Sequence, residues 1–278
     1  MIMLNGIPWV DYQGTLIPDT APHTRVELSD TEARDLLRRT GAYFIRWVSD
    51  FDCAHETAFW HVIKDGESRL EALSGNTRHN VRRGLKRCTI RQTDAETVAS
   101  QGYAAYSKAF AKYETFIEPQ SEVLFAQSIL GLKVDPQWEF WGVWNDEGRM
   151  IAYSMNKIQE GACLYKTTKF DPEYLRLYPS DALFFTMNSH YLNERGLRYI
   201  DDGARSISHE TNIQEYFIQK FHFRRAYCRL NIIYSPKVHL AVTLLYPFRK
   251  LFAGLKHPLA GKIGVLLKHE EIRRSFER

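Results

Sequence analysis

Three successive segments of this chain alternate between hydrophobic and polar positions, and each alternation predicts a β-strand. The segments are Trp138–Trp144, Met150–Gln159 and Ala162–Phe170, and a hairpin signal at 145–148 joins the first two. An amphipathic stretch with helical spacing follows at 179–196 and stops at a glycine. This order predicts a meander of three strands followed by a helix.

A short strand is predicted at 197–205, and its pattern ends in Asp201, Asp202 and Gly203. A strand that carries carboxylates to its end and then breaks at glycine presents a base to a cleft. If the strand continues through both acids, only one of them faces the cleft. A helix from Ile213 and β-rich segments up to Tyr234 complete an α+β order with a mixed sheet.

The first 70 residues predict strands and one helix. Ser29 and Glu32 form a capping signal before this helix, and Gly41 ends it. Four other segments have clear patterns, namely strands at 42–48 and 57–64 and helices at 94–113 and 121–132.

The segment from Thr77 to Arg91 carries six basic residues and no acid. Arg78, Arg82 and Lys86 recur every four residues, so on a helix they form one basic stripe. Because like charges at this density oppose helix formation, an anionic partner would stabilise the helix. Two interpretations stay open: a solvated basic face, or contact with the phosphates of a nucleotide-linked substrate or of RNA.

The composition is that of a soluble globular protein: 278 residues, of which 44% are hydrophobic and 25% are charged. No apolar stretch approaches the ~20 residues of a spanning helix, and the N-terminus has no pattern of a secretory signal. The four cysteines are far apart and fit no metal-ligand spacing. We therefore expect reduced thiols, no bound metal and a cytoplasmic location.

Positive charge is concentrated in the C-terminal part of the chain. After Pro236 there are nine Lys or Arg and three Glu, a net charge of about +6, whereas the whole chain carries +4. Leucine and phenylalanine positions predict two helices with apolar stripes in this part. The segment 236–278 is expected either to pack on the body or on a second copy in a homodimer, or to bind an anionic surface on the inner face of the membrane.

Two segments carry a resemblance to a known family. The first is Ser74-Gly75-Asn76-Thr77-Arg78-His79-Asn80-Val81-Arg82-Arg83. The second contains Tyr165, Leu177-Tyr178-Pro179, Gly196, Asp201-x-Gly203 and Lys220-Phe221. Together they resemble the FemAB-like branch of the GNAT superfamily, which includes peptidoglycan-bridge aminoacyltransferases and many single-domain acyltransferases. The resemblance covers roughly residues 40 to 235.

The resemblance implies transfer of an acyl group to an amine without a covalent enzyme intermediate. The first hypothesis is an N-acyltransferase that uses acyl-CoA and acts on an amino group of a sugar, a nucleotide-linked sugar or an amino acid in envelope or polysaccharide biosynthesis. The second is a tRNA-dependent aminoacyltransferase, which the basic stripe favours. The third is a non-catalytic module that binds RNA or membrane.

The chain departs from ordinary GNAT acetyltransferases at one turn. Those enzymes have a glycine-rich turn at a helix N-terminus, whose N–H groups hold the pyrophosphate of coenzyme A. Here the sequence is Tyr178-Pro179-Ser180-Asp181, which lacks glycine and adds an acid. This difference favours the second hypothesis.

The resemblance also implies roles for individual residues. Asp201 and Tyr165 are the predicted catalytic residues, and the Asp-x-Gly pattern favours Asp201 over Asp202. The predicted substrate-binding residues are Arg78, Arg82, Lys166, Glu210 and Asn212, and the predicted cofactor-binding residues are Tyr178, Ser180 and Lys220. Structural interpretations stay open for four of these: a loop cap for Asp201, a core position for Tyr165, and a helix cap for Glu210 and Asn212.

The predicted fold is a GNAT-like mixed β-sheet flanked by helices. We expect a reduced N-terminal lobe with the basic helix at 1–95, the acyltransferase domain at 96–235 and a basic amphipathic helical tail at 236–278. The core of the fold would then be complete at Tyr234.

Overall fold

A computed structural model describes residues 2–112, 118–207, 212–252 and 258–276. Its strands are β1 Ile2–Leu4, β2 Ile7–Tyr12, β3 Thr15–Pro18, β4 Phe44–Ser49, β5 Trp60–Lys64, β6 Thr89–Thr93, β7 Trp138–Trp144, β8 Met150–Gln159, β9 Ala162–Phe170, β10 Tyr199–Ala204, β11 Arg224–Tyr227 and β12 Arg229–Tyr234. Its helices are α1 Asp30–Thr40, α2 Gly75–Arg87, α3 Ala95–Gln101, α4 Tyr103–Phe110, α5 Glu122–Leu130, α6 Pro179–Ser189, α7 Ile213–Phe221, α8 Pro236–Leu245, α9 Arg249–Phe252 and α10 Pro258–Ser275. The α+β class with mixed sheets is confirmed.

The chain divides into two units, each built from separate segments. The first unit contains Met1–Val62, Ala204–Asn212 and Arg225–Arg278, and the second contains Ile63–Gly203 and Ile213–Arg224. The boundaries at 95 and 235 stay predictions, because the grouping of native contacts does not show which segment folds alone. Within the described residues, no helix is long and apolar enough to cross a membrane.

The first unit is organised around a five-stranded sheet in the order β1-β2-β3-β4-β12. Helix α1 covers it, beginning at a capping box between Ser29 and Glu32 and ending at Gly41, as the sequence predicts. At one edge of the sheet, β12 pairs antiparallel with β4 over six residue pairs. This pairing brings positions about 180 residues apart into register. Its core contains Trp9, Leu36 and Ile45.

The C-terminal helix α10 is part of this same unit. Ile272 is 3% exposed and packs in a cluster with Phe44 and Leu230. The Tyr234 hydroxyl bonds Glu270 at 3.0 Å, and the His269 ring lies edge-on to Phe44. The predicted tail therefore contributes a packed wall to the first unit.

Most of the second sheet lies in the second unit, and its full strand order is β11-β5-β10-β9-β8-β7-β6. Strands β7, β8 and β9 have the bounds that the alternation predicts, and β9 pairs antiparallel with β8 but parallel with β10. Helices α3, α4 and α5 cover one face through a core that contains Val98, Phe125 and Tyr153.

Two predicted helices have different limits in the structure. The helix expected at 94–113 is broken at Gly102 into α3 and α4, and residue 113 lies outside the described residues. The amphipathic stretch at 179–196 forms α6 only as far as Ser189, and a π-helical segment, His190–Glu194, completes it. The wider π turn carries Tyr191 and Leu192 into the interior.

Candidate active site

Strands β9 and β10 separate in the middle of the second sheet. Their parallel pairing covers three residue pairs and ends at Leu164 opposite Asp201. Beyond that point β9 continues to Phe170 against β8, while β10 continues to Ala204 without a paired residue on β9. Tyr165 and Asp202 are therefore the first residues past the paired region on the two strands.

A β-bulge explains why the strands separate at this position. Met155 pairs with Thr167 and Asn156 pairs with Tyr165, so Lys166 is an extra residue in β9. A bulge bends its strand and sharpens the local twist. Lys166, a predicted substrate-binding residue, is exposed at this bend.

Asp202 has the unusual chemistry at this site. It is partly exposed, and no described residue pairs with its carboxyl group in an ion pair or a hydrogen bond. Burial, together with the neighbouring charge of Asp201, raises the pKa of Asp202 to about 8. Such a carboxyl group can exchange a proton with an ammonium near neutral pH.

Asp201, the acid that the sequence favours, has a structural contact. It is 4% exposed, and its Oδ1 accepts a hydrogen bond from the Gly203 N–H at 2.8 Å. Gly203 has φ +108, a region that favours glycine, so this bond fixes the backbone near the end of β10. The catalytic role of Asp201 stays a prediction, and the carboxyl group with the perturbed pKa is its neighbour.

Tyr165 lies on β9 beneath two helices. Its ring packs against Phe184 and Phe217, and its hydroxyl donates to Asn188 Oδ1 at 2.8 Å. Burial raises the pKa of Tyr165 well above its ordinary value, so the hydroxyl stays protonated. This tyrosine can position a neighbour or donate a hydrogen bond, but it is not a base.

A buried polar network adjoins this position, and sequence analysis did not predict it. Tyr191 accepts hydrogen bonds from Trp141 Nε1 at 2.8 Å and from Asn156 Nδ2 at 3.2 Å, while Ser154 donates to Asn156 Oδ1 at 2.9 Å. Asn188 is fully buried, and its Nδ2 has no partner within the described structure. The available signal was the polar Ser154 and Asn156 inside an otherwise apolar strand pattern.

The three predicted cofactor-binding residues lie together at the N-terminus of α6. Tyr178 precedes the helix with φ +61, and Ser180 lies in its first turn. Lys220 from α7 reaches the same turn, where its Nζ bonds the buried Asp181 at 2.7 Å. These three residues lie close together in the structure. Two features of the same turn oppose anion binding, because Pro179 has no N–H to donate and Asp181 carries a negative charge.

Helix α2 packs tightly on this turn. Gly84 lies against the Tyr178 carbonyl and Ala182, where there is no room for a side chain. The Arg83 guanidinium stacks over the Tyr178 ring at 4.9 Å, and Arg87 reaches the Arg176 carbonyl. The α6 N-terminus is thereby covered by a helix on one side.

The opposite face of α2 carries the basic stripe. Arg82 and Lys86 are exposed and Arg78 is partly buried, and no described carboxylate forms an ion pair with any of the three. No hydrogen bond joins Arg78 or Arg82 to the separated strands in the described residues. Of the remaining predicted residues, Asn212 is exposed just before α7, and Glu210 lies outside the described residues.

The comparisons with known proteins agree with this architecture. Residues 75–209 match the family described as acetyltransferase (GNAT) domain. A crystal structure of FemX superposes with a TM-score of 0.53 at 11% identity, over 79% of this chain and 81% of FemX. The C-terminal domain of a putative lysylphosphatidylglycerol synthetase from Agrobacterium fabrum gives a TM-score of 0.50 at 14% identity, over 86% of this chain and 85% of that chain.

A third structure, L-PGS from Bacillus licheniformis, gives a TM-score of 0.50 at 13% identity, over 86% of this chain and 83% of that chain. No curated protein sequence matches the chain. At identities this low, the three structural likenesses show a shared fold and leave the substrates of this chain to be argued from its own residues.

Proposed function

Because the chain has the fold of the GNAT superfamily in its FemAB-like form, we propose that it is an acyltransferase that moves an acyl group from an activated carrier to an amino group. The observation that carries this proposal is the opening between β9 and β10, which has Tyr165 on one strand and Asp202 on the other. Extended strands that part in this way leave backbone N–H and C=O groups without a strand partner. Such groups can hold an acyl carrier and stabilise a developing oxyanion.

Asp202 supplies the proton transfer that the reaction requires. An acceptor amine is protonated near neutral pH and cannot attack a carbonyl carbon until it loses a proton. In the proposed step, the Asp202 carboxylate takes that proton and the nitrogen attacks. The new N–C bond forms, the bond between the acyl carbon and its carrier breaks, and the carrier leaves with its electron pair. The nitrogen then gives up its second proton, and the leaving carrier takes it.

Aminoacyl-tRNA is the donor that the geometry around α6 favours. A pyrophosphate would need free N–H groups and a positive environment at the helix N-terminus, where Pro179 and the buried Asp181 stand. The exposed basic face of α2, packed beside this turn, suits the phosphodiesters of an RNA. One of the similar structures is named a putative lysylphosphatidylglycerol synthetase, which also supports an aminoacyl donor.

Acyl-CoA is the second candidate donor, favoured by the match of residues 75–209 to an acetyltransferase domain. The acceptor class is then the amino group of a sugar, a nucleotide-linked sugar or an amino acid. Lys220 is one cation in reach of the α6 turn, but its bond to Asp181 would have to open for an anion.

One assay tests the reaction and its donor. Purified protein is given tRNA charged with labelled amino acids, or labelled acyl-CoA thioesters, together with a panel of amines, and transfer of label is measured. We expect transfer from charged tRNA, and we expect Asp202→Asn to lower it by about 10²-fold or more, the usual worth of a positioned base. Asp146→Asn is the matched control, because Asp146 is an exposed acid in the β7–β8 turn.

A charge-reversal pair separates the two donors. Arg82→Glu with Lys86→Glu should weaken use of charged tRNA in a salt-dependent way and leave acyl-CoA binding unchanged. Arg34→Glu with Arg38→Glu on α1 makes the same charge change elsewhere. Transfer from acyl-CoA alone would overturn the tRNA donor, and full activity of Asp202→Asn with either donor would overturn the proposed base.

A further inference from the structure

An exposed apolar face runs along α8, the turn after it and α9. Leu240, Leu244, Phe248 and Leu251 are each between 56% and 69% exposed. Their spacing of four, four and three residues puts them on one side of a continuous helical run. The other side of the run is anchored in the first unit, because Val242 and Tyr246 are buried. We call these four residues the apolar face.

The surroundings of the apolar face are positively charged. Lys237 and Lys250 are exposed on the same helical run. The described acids after Pro236 are Glu270 and Glu271, and both are engaged by cations of their own unit. Glu270 bonds Arg273 and Arg274, and Glu271 bonds Lys268. Within the described residues, no carboxylate forms an ion pair with Lys237 or Lys250, so both can meet a partner of opposite charge.

A cavity of about 270 Å³ opens beside this run. Its charged lining consists of Arg205, Arg249, Lys268 and Glu271, so three cations outnumber one carboxylate. Arg249 Nε is buried and has no hydrogen-bond partner in the described residues, although it lies 3.6 Å from Glu271. An incompletely satisfied guanidinium in a cationic cavity is a receptor for an anionic oxygen group such as a phosphodiester.

Aromatic stacking preorganises the cavity. Tyr246 has the guanidinium of Arg249 on its ring at 4.6 Å and that of Arg274 at 4.1 Å. Arg205 is held by the Ala58 carbonyl at 2.6 Å and by the Trp60 ring. Arg205 and Arg249 are therefore held in place without a ligand, which lowers the entropic cost of binding one.

We propose that the apolar face docks on an anionic lipid membrane and that the adjacent cavity holds the phosphate of one lipid headgroup. The leucine and phenylalanine side chains enter the acyl boundary, while Lys237 and Lys250 meet the negatively charged surface. A second copy of the chain is a poorer occupant, because a symmetric pairing of this face would bring the same lysines together. This inference stands apart from the proposed acyl transfer.

Vesicle co-sedimentation of the full chain tests the docking. We expect binding to vesicles of phosphatidylcholine mixed with phosphatidylglycerol, little binding to phosphatidylcholine alone, and a decrease as salt rises. Leu244→Ser with Phe248→Ser should lower the partition coefficient about tenfold or more. Val123→Ser with Leu124→Ser, whose side chains are 65% and 55% exposed on α5, should leave it unchanged.

A separate substitution tests whether the cavity binds a lipid phosphate. Lys268→Gln should weaken binding to the mixed vesicles more than Arg38→Gln on α1, which removes one charge elsewhere. Equal binding to both kinds of vesicle, or undiminished binding by the Leu244 and Phe248 variant, would overturn the proposal. So would stabilisation by inorganic phosphate without vesicle binding, or a dimer in solution that this variant dissociates.

Discussion

Asp202 is a carboxyl group whose environment opposes its charged form. In the folded chain its pKa is raised to about 8 by burial and by Asp201, whereas in the unfolded chain it has the ordinary value near 4. Between these two pH values the folded state binds the proton more tightly than the unfolded state does. The contribution of Asp202 to stability therefore becomes steadily less favourable as pH rises from about 4 to about 8, and then levels off.

Replacing Asp202 should stabilise the protein at high pH. Asp202→Asn removes the ionisation, so its gain in unfolding free energy over the parent should be small at pH 5 and on the order of 1 kcal/mol or more at pH 8. Denaturation in urea at both pH values measures the difference, with Asp146→Asn as the exposed control. The same pH dependence in parent and Asp202→Asn would show that this carboxyl group ionises freely in the folded state.

At this scale the sequence predicts the chemistry of the strand end but not the residue that performs it. Two acids before a glycine could be recognised from their order alone. Which acid bonds the Gly203 N–H and which has the raised pKa depends on where the pairing of β9 and β10 stops, and the bulge at Lys166 sets that point. No local pattern around Asp201 reports a bulge in another strand.

Helices α2 and α6 meet at a backbone contact that depends on Gly84. A Cβ atom on Gly84 would lie 2.5 Å from the Tyr178 carbonyl oxygen and 2.7 Å from the Ala182 Cβ. The Tyr178 oxygen belongs to the main chain and the Ala182 Cβ is a rigid methyl group, so neither atom can rotate away. This contact sets how closely the basic helix approaches the α6 turn.

Gly84→Ala should therefore be destabilising, although alanine is the better helix former. We expect the free energy of unfolding to fall by about 1–3 kcal/mol, because the helices are forced apart. This net figure already includes the gain of about 1 kcal/mol from the higher helix propensity of alanine. Gly75→Ala is the matched control, because Gly75 begins the same helix and has open space around it. Chemical denaturation compares the three proteins, and equal stability of both variants would mean that the contact yields without cost.

The elements themselves were largely predictable, for a physical reason. Strands β7, β8 and β9 are long and joined by short turns, so alternation alone gives their bounds. The pattern at 94–113 predicts one helix that continues through Gly102. The structure breaks it there, where Gly102 fits against the Val98 carbonyl and the Tyr153 ring.

By contrast, local sequence patterns cannot predict which segments come together in the first unit. Strand β12 pairs with β4 over a separation of about 180 residues, and α10 packs on that pair. The sequence left two destinations open for the C-terminal segment. In the structure α10 packs on its own unit, while α8 and α9 leave an apolar face exposed. A single amphipathic pattern cannot distinguish these outcomes, since both need the same spacing of leucines.

If α10 is packed against the sheet of the first unit, removing a buried side chain of α10 should destabilise that unit. Ile272→Ala removes a side chain that is 3% exposed, and we expect a loss of about 2–4 kcal/mol. Leu251→Ala, at 69% exposure, should change the unfolding free energy by no more than about 0.5 kcal/mol.

Hydrogen–deuterium exchange resolved by peptide shows where the loosening occurs. In Ile272→Ala the amides of β4 and β12 should exchange faster than in the parent, because the helix that covers them has lost part of its contact. Leu251→Ala should leave them protected. Unchanged protection of β4 and β12 in Ile272→Ala would mean that the five-stranded sheet is stable without α10, and the C-terminal segment would then be the separable tail that its charge and amphipathic pattern predict.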